Sequence, residues 1–137
     1  MADAVTTQVI QDGERLFLGK YTNISDGTGE AAVVKIDVSA LAKNSWGAAC
    51  SGLNISKIWA QTNGMSVDIL WDASADVLCT SIPADSTFYH MDYSEFGGLS
   101  NNAGSGITGD VLFTTVGQAA GSRYTITLEC IKKYAAA

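Results

Sequence analysis

Apolar and polar residues alternate at a period of two through most of this chain. Near the C-terminus Tyr124, Ile126, Leu128 and Cys130 fall on one face, with Arg123, Thr125, Thr127 and Glu129 on the other. One buried and one wetted face is what a strand of an antiparallel sheet presents. Met65, Val67, Ile69 and Trp71 alternate in the same way with Ser66, Asp68 and Leu70. So do Val34, Ile36 and Val38 with Lys35 and Asp37, and Val111, Phe113 and Thr115 with Leu112 and Thr114. The β-branched and aromatic stretches 5–10, 16–21, 54–60, 76–81 and 87–93 bring the total to about nine predicted strands. Turns are expected at Asp26-Gly27-Thr28-Gly29, at Asn63-Gly64 and over 117–121. Helical periodicity is nearly absent; only Ser39 to Lys43, with Ser39 as N-cap, predicts a single turn. The pattern predicts an all-β fold, an antiparallel β-sandwich of jelly-roll type, as one domain over residues 1–137.

Two segments stand apart from this rhythm. Residues 1–13 carry Val5, Thr7, Val9 and Ile10 with few charges to oppose strand pairing. An exposed strand of that composition invites pairing with a neighbour's sheet edge, so the segment is expected to serve as an interaction arm. The alternative is an edge strand of the domain's own sheet. Gly97 to Gly109 is too glycine-rich and too long for a tight hairpin. Loops of that kind are often functional, which makes Leu99, Asn101 and Asn102 candidate partner contacts.

Composition narrows the function classes. Hydrophobic residues make up 47% and charged residues 16%, enough apolar material for a core. Fourteen acidic residues against eight basic ones give a net charge of −6, which argues against direct nucleic-acid binding. No apolar run is long enough to cross a bilayer, and the start lacks the basic and apolar regions of a signal peptide. Cys50, Cys79 and Cys130 show no CxxC spacing and are expected to be reduced, Cys79 and Cys130 buried.

No candidate chemistry survives its own requirements. Gly104-Ser105-Gly106-Ile107-Thr108-Gly109 matches G-x-G-x-x-G, but a strand follows it where pyrophosphate binding needs a helix. His90 is the only histidine and has no nucleophile or orienting partner in sequence; its ring is expected at the surface or an interface. The Asp72 to Asp76 stretch lacks the glycine and distal glutamate of a calcium loop and reads as a solvated turn. No cofactor, metal site or enzymatic activity is expected. Trp46, Trp59 and Trp71 could mark a sugar platform, since aromatic faces stack on sugar faces, but core or interface is the favoured reading. Trp71 continues an apolar face, whereas Trp46 sits beside Gly47 in an irregular stretch and is the better contact candidate.

The opening Val5-Thr6-Thr7-Gln8-Val9-Ile10-Gln11-Asp12-Gly13 and the stretch Lys35-Ile36-Asp37-Val38-Ser39-Ala40-Leu41 are similar to a group of small virion proteins of tailed bacteriophages, marine ones especially. Leu70-Trp71-Asp72-Ala73 and the run from Gly97 to Asp110 extend the resemblance over nearly the whole chain. It implies a phage structural protein located on the virion. Within that group the implied role is a capsid decoration (cement) protein, which binds across major capsid protein subunits and stabilises the shell. It also implies homo-oligomers and contacts with the major capsid protein or other virion proteins. The alternative is a receptor- or carbohydrate-binding component associated with tail or fibre, with Trp46 and nearby aromatics as the contact.

Overall fold

The computed structural model describes residues 3–134; the first two residues of the expected arm lie outside the described residues. Nine strands form, joined by loops and two 3-10 turns: β1 (Ala4–Asp12), β2 (Leu16–Asp26), β3 (Val33–Ile36), β4 (Cys50–Asn63), β5 (Ser66–Trp71), β6 (Val77–Ile82), β7 (Tyr89–Asp92), β8 (Val111–Val116) and β9 (Ala120–Tyr134). They build a five-stranded sheet in the order β1-β2-β9-β4-β7 and a four-stranded sheet in the order β3-β8-β5-β6. All pairings are antiparallel.

Setting β1 aside, the remaining eight strands pair first with last: β2 with β9, β3 with β8, β4 with β7 and β5 with β6. A hairpin of four long arms rolled upon itself gives those pairs, which is the jelly roll expected from the alternation. β1 is an added strand on the outer edge of β2.

The inner faces supply the core. β9 buries Tyr124, Ile126, Leu128 and Cys130, and β5 buries Val67, Ile69 and Trp71, each on the predicted face. Three rings lock the sheets together: Phe113 of β8 meets Tyr21 of β2 at 5.5 Å and Tyr124 of β9 at 5.8 Å, both edge to face. Pairs of that geometry add about 0.5–1.5 kcal/mol each beyond the area they bury.

β3 keeps Ile36 buried as predicted, as is Val38 beyond it, but departs from the expected facing at Val34 and Lys35. A bulge between Val34 and Ile36 breaks the period, and Lys35 turns inward while Val33 and Val34 are exposed. Inside, the Lys35 ammonium pairs with Glu30 at 2.5 Å, both side chains nearly fully buried. The other Glu30 oxygen accepts from Tyr124 at 2.6 Å and from Asn23 at 2.9 Å. A charge pair reverses the pattern here because it satisfies inside the sandwich what the alternation assigned to solvent.

The other corrections are local. The expected turn at 39–43 is a 3-10 turn at Val38–Ala40, capped by the Asp37 carboxylate, which accepts from Ser39 N, and not by Ser39. Cys130 is buried as expected, but Cys50 is buried as well, and Cys79, on edge strand β6, is only half-buried. No helix among the described residues is long and apolar enough to cross a membrane.

Candidate ligand-binding groove

The outward face of the five-stranded sheet is a grid of polar residues with aromatics at one edge. Antiparallel register sets its rows, because directly opposed residues share a face. One row runs Gln8, Lys20, Thr127, Trp59, His90 across β1, β2, β9, β4 and β7. The next runs Thr6, Thr22, Thr125 and Gln61. Beyond it lie Ile24, Arg123 and Asn63.

The aromatic corner belongs to β4 and the approach to β7. Trp59 and His90 stand opposite each other with rings 5.5 Å apart and 13° from parallel. Phe88 meets His90 edge to face at 6.5 Å and is 80% exposed. That much exposure is a large apolar surface left without a partner on the described chain.

Two hollows open on this face. The smaller, about 130 Å³, lies against Trp59, Phe88, Gln61, Thr125 and Thr127. The larger, about 360 Å³, continues past Gln61 and Thr125 to Asn63, Arg123, Ser86 and Thr87. Because Gln61 and Thr125 line both, the hollows form one groove that follows β4 and β9. From Trp59 to Asn63 is four residues along the strand, so the groove spans roughly 13 Å.

One wall is the loop that carries Ser86 to Phe88, and it is pinned. Thr62 N donates to Ser86 O at 2.9 Å, and Ser86 N donates to the Thr62 hydroxyl at 3.0 Å. The Thr62 hydroxyl in turn donates to Pro83 O at 2.8 Å, and Asp85 accepts from Gly64 N at 2.8 Å. The loop wall is therefore fixed, and the side chains of Gln61, Asn63, Thr125 and Arg123 line the groove that runs from it and from the aromatic corner. A flat apolar ring beside convergent amides and hydroxyls suits a ligand with an apolar face and a polar rim.

The residues singled out from sequence are not gathered here. Val5, Thr7, Val9 and Ile10 lie on β1, whose residues Ala4 to Gln11 are all exposed. Val5, Thr7 and Val9 share the inward side with Asn23, Tyr21 and Gly19 of β2, while Ile10 sits in a bulge. The segment is thus hydrogen-bonded to its own sheet, and β2 is its only strand partner among the described residues.

Trp46 is 90% exposed at the tip of a tight turn, where the Asn44 side chain accepts from Trp46 N and Ala48 N. Glu14 accepts from Ser45, and Asp12 from Ala42 N, which ties this loop to the β1–β2 hairpin. The long loop is less free than its glycines suggest. Leu99 exchanges backbone bonds with Ile55 and packs against the core. Asn101 turns back on Ala103 N, and Asn102 is exposed. Gly98 makes the approach possible: at φ +92° it lies so close to Ile55 O that a Cβ would stand 2.9 Å from it.

His90 lies at the surface as expected, but as part of the aromatic corner. Asp72 accepts from the Thr108 hydroxyl and Asp76 from Ala73 N, as in a hydrogen-bonded turn. Among the described residues no three potential metal ligands cluster. Sequence reading misses Phe88 and weighs Trp59 only as one of three tryptophans that could mark a sugar platform, preferring Trp46. Trp59 shares its alternation phase with Lys57, Gln61 and Asn63, an aromatic on a polar face, and that phase was the available signal.

The sequence matches no protein-family model and no curated protein. Among solved structures the chain is similar to variants of the family 29 carbohydrate binding module CBM29-2. Two superpose with a TM-score of 0.50 at 14% identity, covering 94% of this chain and 92% and 93% of theirs. A third, complexed with mannohexaose, does so at 0.50 and 12% identity, over 96% of this chain and 93% of its own. At such identities the likeness concerns the fold alone: the chain is a β-sandwich of the architecture those modules use.

Proposed function

We propose that this chain is a non-catalytic domain that binds a carbohydrate chain in the groove on its five-stranded sheet. The carrying observation is the join of exposed Phe88, with Trp59 and His90 behind it, to a trough lined by Gln61, Asn63, Thr125 and Arg123. Aromatic rings take the C–H faces of pyranoses, and side-chain amides and hydroxyls bond their hydroxyl groups. The sandwich shared with carbohydrate binding modules supports the reading, since one of those neighbours was complexed with mannohexaose. In the setting the sequence resemblance implies, the chain is then a receptor- or carbohydrate-binding virion component.

The test is titration of the purified chain with hexasaccharides of several backbones, followed by tryptophan fluorescence and calorimetry. Saturable binding that Trp59→Ala and Phe88→Ala each abolish, with the melting temperature kept, supports the reading. Saturable binding untouched by both substitutions refutes the groove.

A second reading, capsid decoration, has one feature of its own: the outer edge of β1, where Val5, Val9 and Ile10 are each 41–56% exposed. A neighbouring subunit's strand adding to that edge would bridge two chains by main-chain hydrogen bonds. Loss of particle binding when residues 1–9 are removed, with glycan binding intact, would favour it.

A further inference from the structure

The lining of the groove carries a cation and no acid. The chain as a whole carries fourteen acidic residues and eight basic ones. Yet neither hollow has an aspartate or glutamate among its lining residues, and the larger has Arg123. Arg123 is exposed, and its Nε donates only a long bond of 3.4 Å to Gly121 O. It has no ion-pair partner among the described residues.

Lys20 repeats the feature. It stands in the row of Thr127 and Trp59, two strands from the tryptophan, about 9.5 Å at ordinary strand spacing. It too makes no ion pair among the described residues. The carboxylates that share this face are engaged elsewhere. Glu129 lies 3.9 Å from Lys57, one row beyond the groove. Asp92 accepts from Ser94 N at 2.8 Å and from the Ser94 hydroxyl at 2.5 Å. Glu129 and Asp92 are partnered, whereas Arg123 in the groove and Lys20 beside it make no ion pair among the described residues.

We propose that the glycan taken by this groove is anionic, a hexose chain carrying carboxylates or sulfate esters, with one anion held by Arg123 and a second near Lys20. The guanidinium fork matches two oxygens of a carboxylate or a sulfate, whereas a lysine acts as a point charge. Arg123 lies roughly 13 Å along the strands from Trp59, so an oligosaccharide seated on the aromatic corner reaches it and a monosaccharide does not. A protein of net charge −6 repels polyanions in general, so selectivity for an anionic chain has to come from these two residues.

This inference rests on the glycan-binding reading, and the experiment separates the two. The whole chain is titrated with mannohexaose and cellohexaose as neutral probes, a galacturonate hexamer as the carboxylate probe, and a sulfated galactan hexamer as the sulfate probe. Polyglutamate of similar length controls for charge without sugar. One anionic hexamer is expected to bind about tenfold tighter than the neutral ones, the worth of a charge-assisted hydrogen bond. Its affinity should fall as salt rises.

Arg123→Gln should bring the affinities for the anionic and neutral hexamers together, while Arg123→Lys, which keeps charge and loses the fork, should leave a smaller anionic preference than the parent. Lys20→Gln should lose less than Arg123→Gln. Which anionic hexamer wins identifies the anion. Equal or tighter binding of the neutral hexamers overturns the anionic assignment and leaves the groove reading standing. Polyglutamate binding as well as the galacturonate hexamer also overturns it. Binding of no oligosaccharide overturns both.

Discussion

Glu30→Gln tests whether the buried charge pair beneath β3 is as closed to water as its geometry states. The Lys35 side chain is 3% exposed and that of Glu30 5%, so neither ion is hydrated. The glutamine keeps an oxygen for Tyr124 and Asn23 but leaves an ammonium without its counter-charge. Breaking a buried pair from one side costs about 3–5 kcal/mol. A chain of this length has a stability of about 7–20 kcal/mol at 0.05–0.15 kcal/mol per residue, so the variant folds but is visibly weakened. The melting temperature should fall by roughly 10–20 °C. Lys35→Met should cost less, because the carboxylate keeps the Tyr124 and Asn23 donors. The double variant removes both charges and should lie within about 1 kcal/mol of the parent or above it. Urea denaturation of the four proteins, followed by tryptophan fluorescence, gives the coupling energy directly. A loss under about 1 kcal/mol for Glu30→Gln, the range of exposed pairs, with no coupling to Lys35→Met, would show that the pair is hydrated and the reasoning wrong.

Other outcomes follow from the same geometry. Removing residues 1–9 deletes exposed strand together with the Asp3 carboxylate, which accepts from Asn23, Ser25 and Asp26 N, and should lower stability measurably. Asp12→Ala leaves the fully buried Lys132 ammonium with Ala42 O alone and should cost about 3 kcal/mol or more by denaturation. Burial pushes the Asp3 carboxyl up, but bonds from Asn23, Asp26 and Thr28 outweigh it and hold the group at about 2. Its stabilising contribution is therefore full above the ordinary value of 3.8 and is lost as pH falls toward 2. Asp3→Asn should flatten the melting-temperature profile across that window. Burial also pushes the Cys79 thiol up to about 12, and Cys50 and Cys130 are enclosed. A thiol reagent at pH 8 should label at most one cysteine in the native protein and three after unfolding.

The strands were legible where both faces obey one rule. β5 and β9 bury the residues that alternation assigned, since a sheet with one solvated face leaves no other solution. β3 departs from the alternation at Val34 and Lys35 because a bulge shifts register by one residue, and no single-residue preference reveals that Lys35 will pair inside the sandwich with Glu30. The jelly-roll order follows from strand count and spacing only as a class. The site was less legible than the fold. His90 was read as a surface ring, but its partner Trp59 lies thirty-one positions earlier in sequence, and only the β4–β7 register brings them together. Trp46 and the 97–109 loop attracted attention by composition. One proves to be a solitary exposed ring, and the other is fastened to Ile55, Ser74 and Asp72 by backbone bonds.

β9 lies at the centre of the five-stranded sheet, between β2 and β4, although it is the last of the described strands. During synthesis β2 therefore waits for a partner that emerges about a hundred residues later, some 5–20 s at ordinary elongation rates. Until then one side of β2 and one side of β4 are open edges, and the rings of Tyr21 and Phe113 lack Tyr124. The nascent domain can form hairpins such as β5–β6 but cannot close. Folding is then a late event, gated by closure of distant contacts and slow for a domain of this size. A chain interrupted before β9 should be a substrate for aggregation or proteolysis and not a partial binder, because the β9 side of the whole groove, from Arg123 to Thr127, arrives with that strand.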